Sequence, residues 1–85
     1  MLVVAGCQSA PVQEMSDARQ AISVAKRAGA EQLAPGDLQA AVEYLHSAEG
    51  YISQRQYDRA RRNAVNAKAS ALDALKISSE KNLEQ

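Results

Sequence analysis

Alanine recurs at intervals of three and four residues through the last third of the chain. Positions three and four apart lie on the same face of an α-helix, so the repeat marks one continuous helical face. Alanine has the highest helix propensity, and its small side chain lets a neighbouring helix come close. The pattern therefore predicts a long helix over residues 56–79 or beyond, with Val65, Leu72 and Leu75 widening its buried face. The repeat consists of Tyr57, Ala60, Ala64, Ala67, Ala71 and Ala74.

A first helix is predicted over residues 13–28. Lys26 and Arg27 fall in its last turn, where cations suit the negative end of the helix dipole. Gly29 follows directly and suits the positive φ that often ends a helix. The apolar stripe of this helix consists of Met15, Ala18, Ile22 and Ala25, with Val24 and Ala28 beside it.

A second helix is predicted to begin near Pro35, because proline is favoured in the first turn of a helix. Residues 30–34 form a short connection before it, and a tight turn at residues 53–56 follows it. Gly50 lies inside the pattern, where it either admits a neighbouring helix or is simply tolerated at a cost of about 1 kcal/mol. The stripe of this helix consists of Leu38, Ala41, Val42, Leu45, Ala48 and Ile52.

The fold class predicted from these patterns is all-α. Apolar and polar residues do not alternate over a useful length, so we expect no sheet. Short connections make consecutive helices antiparallel neighbours. The expected architecture is an antiparallel three-helix up-down-up arrangement.

The second and third helices also resemble one tetratricopeptide repeat. The resemblance implies a helical hairpin with tightly packed small residues, although about three repeats are needed for a stable solenoid. The residues that carry it are Tyr44, Ala48, Tyr51, Tyr57, Ala60, Ala64 and Ala67.

Composition excludes several classes of protein. The chain has 85 residues, and its 10 basic residues balance its 10 acidic ones. A net charge of zero argues against a nucleic-acid binder, which needs an excess of Lys and Arg. No run reaches the roughly 18 apolar residues of a membrane-spanning helix. The single cysteine excludes an internal disulfide and a cysteine-based metal cluster.

Residues with catalytic chemistry are few. His46 is the only histidine, and no ligands stand at metal-binding spacing beside it. Ser16 and Asp17 would complete a triad with His46, but no Gly-x-Ser-x-Gly elbow or glycine-rich phosphate loop is present. We expect no catalytic residue, no metal, no cofactor and no small-molecule substrate, and therefore no enzyme.

The start of the chain, Val4-Ala5-Gly6-Cys7, resembles a bacterial lipobox, and the loop-like residues 8–11 follow it. That resemblance implies that Cys7 is the lipid attachment site, receiving a diacylglycerol and then a further acyl chain such as palmitate. Gln8 after the cysteine implies sorting to the outer membrane, with the rest of the chain facing the periplasm. The alternative is a cytoplasmic soluble helical adaptor in which Cys7 is unmodified.

Residues 7–80 as a whole resemble a family of small, alanine-rich bacterial envelope lipoproteins of unknown function. The resemblance implies a residual signal segment at residues 1–6 and a lipidated cysteine and flexible linker at 7–13, followed by a helical domain. The residue patterns place the three-helix domain at 14–80, and the polar end of the chain is expected to be a frayed tail at 81–85. The resemblance is carried by Ala5-Gly6-Cys7, Ala28-Gly29-Ala30-Glu31, Ala34-Pro35 with Leu38, and residues 56–62.

Two groups of residues are candidates for contact with a partner. Arg55, Arg59 and Arg62, with Arg61 beside them, suit anionic headgroups or an acidic protein, or else form a solvated face in which Asp58 pairs with Arg62. Glu43 and Glu49 are expected near these arginines in that second case. Tyr44 and Tyr51 fill the core of the hairpin or form an exposed partner site.

The function expected from these features is a non-catalytic interaction module or accessory subunit of an envelope complex. Its membrane contact is the lipid anchor, and the domain binds a protein partner or associates with itself. The paucity of large core side chains favours such association.

Overall fold

Four helices occupy most of residues 9–84, the part of the chain that the computed structural model describes. They are α1 (Val12–Arg27), α2 (Ala30–Leu33), α3 (Pro35–Ser53) and α4 (Tyr57–Leu83). The described residues contain no strand, which confirms the all-α class.

The short helix α2 corrects the expectation of three helices. Residues 30–34 were expected to be a plain connection, but Ala30–Leu33 forms one helical turn. The carbonyl of Gly29 accepts hydrogen bonds from the N–H groups of Gln32 and Leu33, each at 3.0 Å. Gly29 has φ +91°, so the chain leaves α1 in the left-handed region and starts a new helix at once. The predicted role of Gly29 is confirmed.

Both ends of the helical region include residues that were expected in the linker or in the frayed tail. The α1 helix begins at Val12, inside the expected linker, and Pro11 before it is fully buried. The α4 helix continues to Leu83, into the expected frayed tail. Lys81 Nζ donates to the Leu33 carbonyl at 2.7 Å, and Asn82 Nδ2 donates to the Ala28 carbonyl at 3.2 Å. These two bonds hold the last turns of α4 beside the connection after α1.

The turn between α3 and α4 has the hydrogen bonds of a Schellman motif. The Gln56 N–H donates to the Tyr51 carbonyl at 2.8 Å, and the Arg55 N–H donates to the Ile52 carbonyl at 2.9 Å. Arg55 takes the left-handed position of this motif, with φ 61°. Glycine usually occupies that position because a Cβ is unfavourable there. The predicted tight turn at residues 53–56 is confirmed.

The predicted alanine face of α4 is confirmed and forms the centre of the fold. Its five alanines have no exposed surface, and α4 contacts α1, α2 and α3. Opposite them lie further fully buried alanines of the other helices. The only larger apolar side chains among the buried residues of 12–84 are Met15, Ile22 and Leu38. The fully buried alanines of the other helices are Ala18, Ala25, Ala30, Ala41 and Ala48.

Three apolar residues expected in the core are exposed instead. Val42 is 37% exposed, Val65 51% and Leu72 45%. Each lies next to a buried position in sequence, but one residue turns a helix by about 100°, which carries these side chains out of the contact. The expected stripes were therefore too wide. Leu45, Ile52 and Leu75 are half-buried at their edges.

Gly50 has no close neighbour in the fold. A Cβ built on it meets nothing within 4 Å, so the glycine does not admit another helix of this chain. We expect Gly50→Ala to raise the free energy of unfolding by about 1 kcal/mol, the difference in helix propensity. Urea unfolding followed by circular dichroism measures this change. Gly29→Ala is the matched control and should lower stability by about 1 kcal/mol or more, because its φ is positive.

Ser78 continues the buried face of α4 beyond Ala74. It is fully buried, and its hydroxyl has no hydrogen-bond partner among the described residues. An unpaired buried hydroxyl costs about 1–3 kcal/mol, so Ser78→Ala should stabilise the fold by at least about 1 kcal/mol. Ser79→Ala, at the exposed neighbouring position, should change stability by no more than about 0.5 kcal/mol. If Ser78→Ala and Ser79→Ala change the stability equally in thermal unfolding, the hydroxyl of Ser78 does have a hydrogen-bond partner.

Candidate interaction surfaces

Arg55, Arg59 and Arg62 are exposed where α3 ends and α4 begins. None of the three forms an ion pair within residues 9–84. The guanidinium carbon of Arg59 lies 5.9 Å from the centre of the Tyr51 ring, at the distance of a cation–π contact. We call these four residues the arginine end.

Arg61 differs from its neighbours because it faces α1. Its Nε lies 3.3 Å from a Glu14 carboxylate oxygen, and its Nη1 lies 3.8 Å from Asp58 Oδ1. Its Nη2 also donates to the Ser9 carbonyl at 3.4 Å. The expected pairing of Asp58 with Arg62 is thus wrong, because Asp58 pairs with Arg61 instead. One residue turns a helix by about 100°, so Arg62 points in a different direction from Arg61.

The acidic residues of α3 do not neutralise the arginine end. Glu49 forms an ion pair with Arg19 of α1 at 3.2 Å. Glu43 accepts a hydrogen bond from Gln39 within its own helix at 3.1 Å. Both were expected near the arginines in the interpretation of a solvated, balanced face. Their actual partners leave Arg55, Arg59 and Arg62 with a positive excess at this end.

The two tyrosines of α3 have different environments. Tyr44 is 38% exposed, which contradicts its interpretation as a core residue of the hairpin. It lines a shallow groove with Ser47 of its own helix and Asn63 of α4. Tyr51 is half-buried beneath Arg59. Tyr51 therefore belongs to the arginine end, and Tyr44 belongs to a separate side of the hairpin.

Val65 and Leu72 form an apolar ridge on the outside of α4, a feature that the sequence reasoning missed. They stand seven residues apart and so share one face of the helix. A shallow groove runs beside them, lined by Leu72, Leu75 and Val24 of α1. The sequence does carry the signal, because both residues lie on the side of α4 away from the alanines when the helix is drawn as a wheel.

The residues considered for catalysis or metal binding lie at the surface. His46 and Ser16 are exposed, and Asp17 accepts a hydrogen bond from Gln13 at 2.8 Å. Within residues 9–84, no three His, Cys, Asp or Glu side chains are placed to hold a metal ion.

No helix among residues 9–84 has both the length and the apolar composition needed to cross a membrane. Cys7, the expected lipid attachment site, lies outside the described residues. The first described residue, Ser9, is two positions further along the chain and contacts Arg61. The chain therefore enters the domain beside the arginine end.

The family model described as a domain of unknown function (DUF4398) matches residues 13–85. The chain belongs to this family. The DUF4398 match begins one residue after the start of α1 and includes the other three helices, the arginine end and the apolar ridge. No curated protein and no solved structure matches the chain.

Arg61 connects α4 to α1 and to the chain entry, so its loss should affect stability. We expect Arg61→Ala to lower the free energy of unfolding by about 1 kcal/mol, since partly exposed ion pairs each contribute about 0–1 kcal/mol. The loss should shrink at high salt. Arg62→Ala, at an exposed position, should stay within about 0.5 kcal/mol in the same urea titration. A salt-independent loss for Arg61→Ala would assign its role to packing.

Proposed function

We propose that this chain is a non-catalytic outer-membrane lipoprotein, anchored through an acylated Cys7, whose helical domain faces the periplasm and binds protein. Two observations support the anchor. The residues around Cys7 resemble a lipobox, and the chain enters the domain at an exposed end, beside Ser9, where a short tether can reach a membrane.

The observation that supports a role in binding protein is that large apolar side chains lie on the outside of the domain rather than in its interior. The interior consists almost entirely of alanine, whereas Val65 and Leu72 are about half exposed on the outside of α4. A small domain gains stability by burying such residues, so their exposure is explained if another protein covers them. The apolar ridge is therefore the surface that we assign to a protein partner or a second copy of the chain.

We also propose that the three long helices alternate in direction as an up-down-up bundle. The start of α4 lies beside the start of α1 through Arg61 and Glu14, and its last turns contact Ala28 after α1. Arg19 of α1 contacts Glu49 near the end of α3. These contacts support parallel α1 and α4 with an antiparallel α3. The buried small residues of the α3–α4 pair support a likeness to a single tetratricopeptide hairpin.

A photo-crosslinking amino acid at position 72, introduced in the native cells, tests both parts of the proposal. We expect a discrete crosslinked product from position 72, because the apolar ridge is covered by protein. In the same purified material, the mass of the N-terminal peptide should correspond to a chain that begins at Cys7 and carries acyl groups. Mass spectrometry provides both measurements.

Position 66 provides the matched control for the crosslinking. Asn66 is also exposed on α4 but lies on a different side from the apolar ridge, so it should give little product. Similar products from positions 66 and 72, or none from either, would contradict the interaction surface. An intact, unmodified Met1 in the soluble fraction would contradict the anchor independently of the crosslinking result.

A further inference from the structure

We propose that the arginine end rests on the membrane surface and binds the phosphate groups of anionic lipid headgroups. This inference deepens the proposed function and rests on its anchor at Cys7. It adds a lipid-binding site, with Arg55, Arg59 and Arg62 as the phosphate ligands. It also assigns an orientation, with the α3–α4 turn toward the bilayer and the connection after α1 away from it.

The first argument is the charge at this end of the domain. Arg61 takes up both nearby carboxylates, Glu14 and Asp58, and Glu49 is held by Arg19. Arg55, Arg59 and Arg62 are exposed and have no acidic partner within 4 Å among residues 9–84. The arginine end therefore presents three guanidinium groups that form no ion pair, each able to bind a phosphate through two hydrogen bonds. With Arg61 included, four arginines stand against the two carboxylates of Glu14 and Asp58, so the net charge here is +2.

The second argument is the arrangement of these arginines. Arg59 and Arg62 stand three residues apart on α4, so their Cβ atoms are close neighbours on the helix surface. Arg55 extends from the turn before α4 and occupies a left-handed position where glycine is usual. The three arginines thus lie within eight residues, over the turn and the first two turns of α4.

The third argument is the place where the chain enters. Ser9 lies two positions after Cys7, a reach of about 7 Å when fully extended. An acylated Cys7 therefore holds Ser9 close to the headgroups, within about the 8 Å Debye length at physiological salt. Arg61 contacts the Ser9 carbonyl at 3.4 Å, which places the start of α4 at the same end. The tether thus presents the arginine end to the bilayer.

The apolar and aromatic residues at this end fit an interfacial position. Val12, in the first turn of α1, is 72% exposed, and Tyr51 and Tyr57 are half-buried. Tyrosine is enriched where a protein meets headgroups, and basic residues beside an anchor are attracted to anionic lipid. The tether also keeps the local concentration of headgroups high, which favours lipid over an acidic protein in solution.

The experiment uses the single cysteine of the chain to supply the anchor chemically. The full-length protein is coupled through Cys7 to a maleimide lipid in nanodiscs of phosphatidylcholine alone or mixed with anionic phosphatidylglycerol. A spin label on the headgroups then enhances the relaxation of nearby amides in NMR spectra. With anionic lipid, we expect enhancement at residues 54–59 to exceed that at residues 28–34 and to be severalfold greater than with neutral lipid.

Two triple variants with the same change in net charge separate site binding from general attraction. Arg55→Gln, Arg59→Gln and Arg62→Gln together should remove the lipid-dependent enhancement. One arginine near an anionic surface raises the binding constant for that surface about fivefold, or about 1 kcal/mol. Three arginines raise it on the order of a hundredfold. The control changes Lys26, Lys68 and Lys76, all exposed and away from this end, to Gln and should leave the enhancement unchanged.

Salt and soluble competitors complete the test. Raising the ionic strength to about 1 M shortens the Debye length to about 3 Å and should abolish the enhancement. Inorganic phosphate added to anionic nanodiscs at the same ionic strength should leave the enhancement unchanged, whereas its loss would show that the arginines bind free phosphate in preference to headgroups. Equal enhancement on neutral and anionic lipid, an equal loss in both triple variants, or displacement of the arginine end from anionic nanodiscs by an acidic peptide would overturn the proposal.

Because the anchor is supplied by coupling, these outcomes do not depend on acylation in the cell. A failure of the lipid site would leave the N-terminal peptide mass and the crosslinking from position 72 unaffected. An unmodified Met1 in the cell would instead contradict the anchor while the nanodisc result could still show phosphate binding. The two proposals therefore fail in distinguishable ways.

Discussion

The close contact of alanine faces along α4 is the constraint on which the rest of this structure depends. Six consecutive positions of its buried face, from Ala60 to Ser78, have no exposed surface, and alanines of α1, α2 and α3 meet them. Short side chains bury little apolar area each, so the stabilisation comes from many small dispersion contacts at short range. A larger residue at any of these positions would separate the helices.

This packing places no larger apolar residue of α4 among its buried positions, and the helix presents three distinct surfaces along its 27 residues. Its alanine face holds the domain together. Its first turns carry Arg59 and Arg62, which with Arg55 form the arginine end. Its outer face carries Val65 and Leu72. The proposed membrane contact at one end and the proposed protein contact along the side are compatible, because the two surfaces share no residue.

Local patterns predicted much of the fold. The long helices, the positive φ of Gly29 and the tight turn before α4 follow from spacing and backbone chemistry within a few residues. The errors arose where a side chain had to be assigned to one neighbour among several. Val42 and Leu72 were placed in the core because they flank buried positions, although helix geometry carries them outward. The partner of Asp58 was assigned by spacing along α4, whereas the actual contact depends on where α1 brings Glu14 to Arg61.

By itself, the sequence determined the helical class, the small-residue face of α4 and the clustering of arginines near the turn between α3 and α4. These properties depend on residues that are close together in the chain. The tertiary structure decided which arginine forms ion pairs, which large apolar residues stay outside and that Ser9 lies beside the start of α4. Those outcomes depend on distances between helices that are separated by tens of residues. Electrostatic pairing and burial act across such distances in space, and a linear pattern does not contain them.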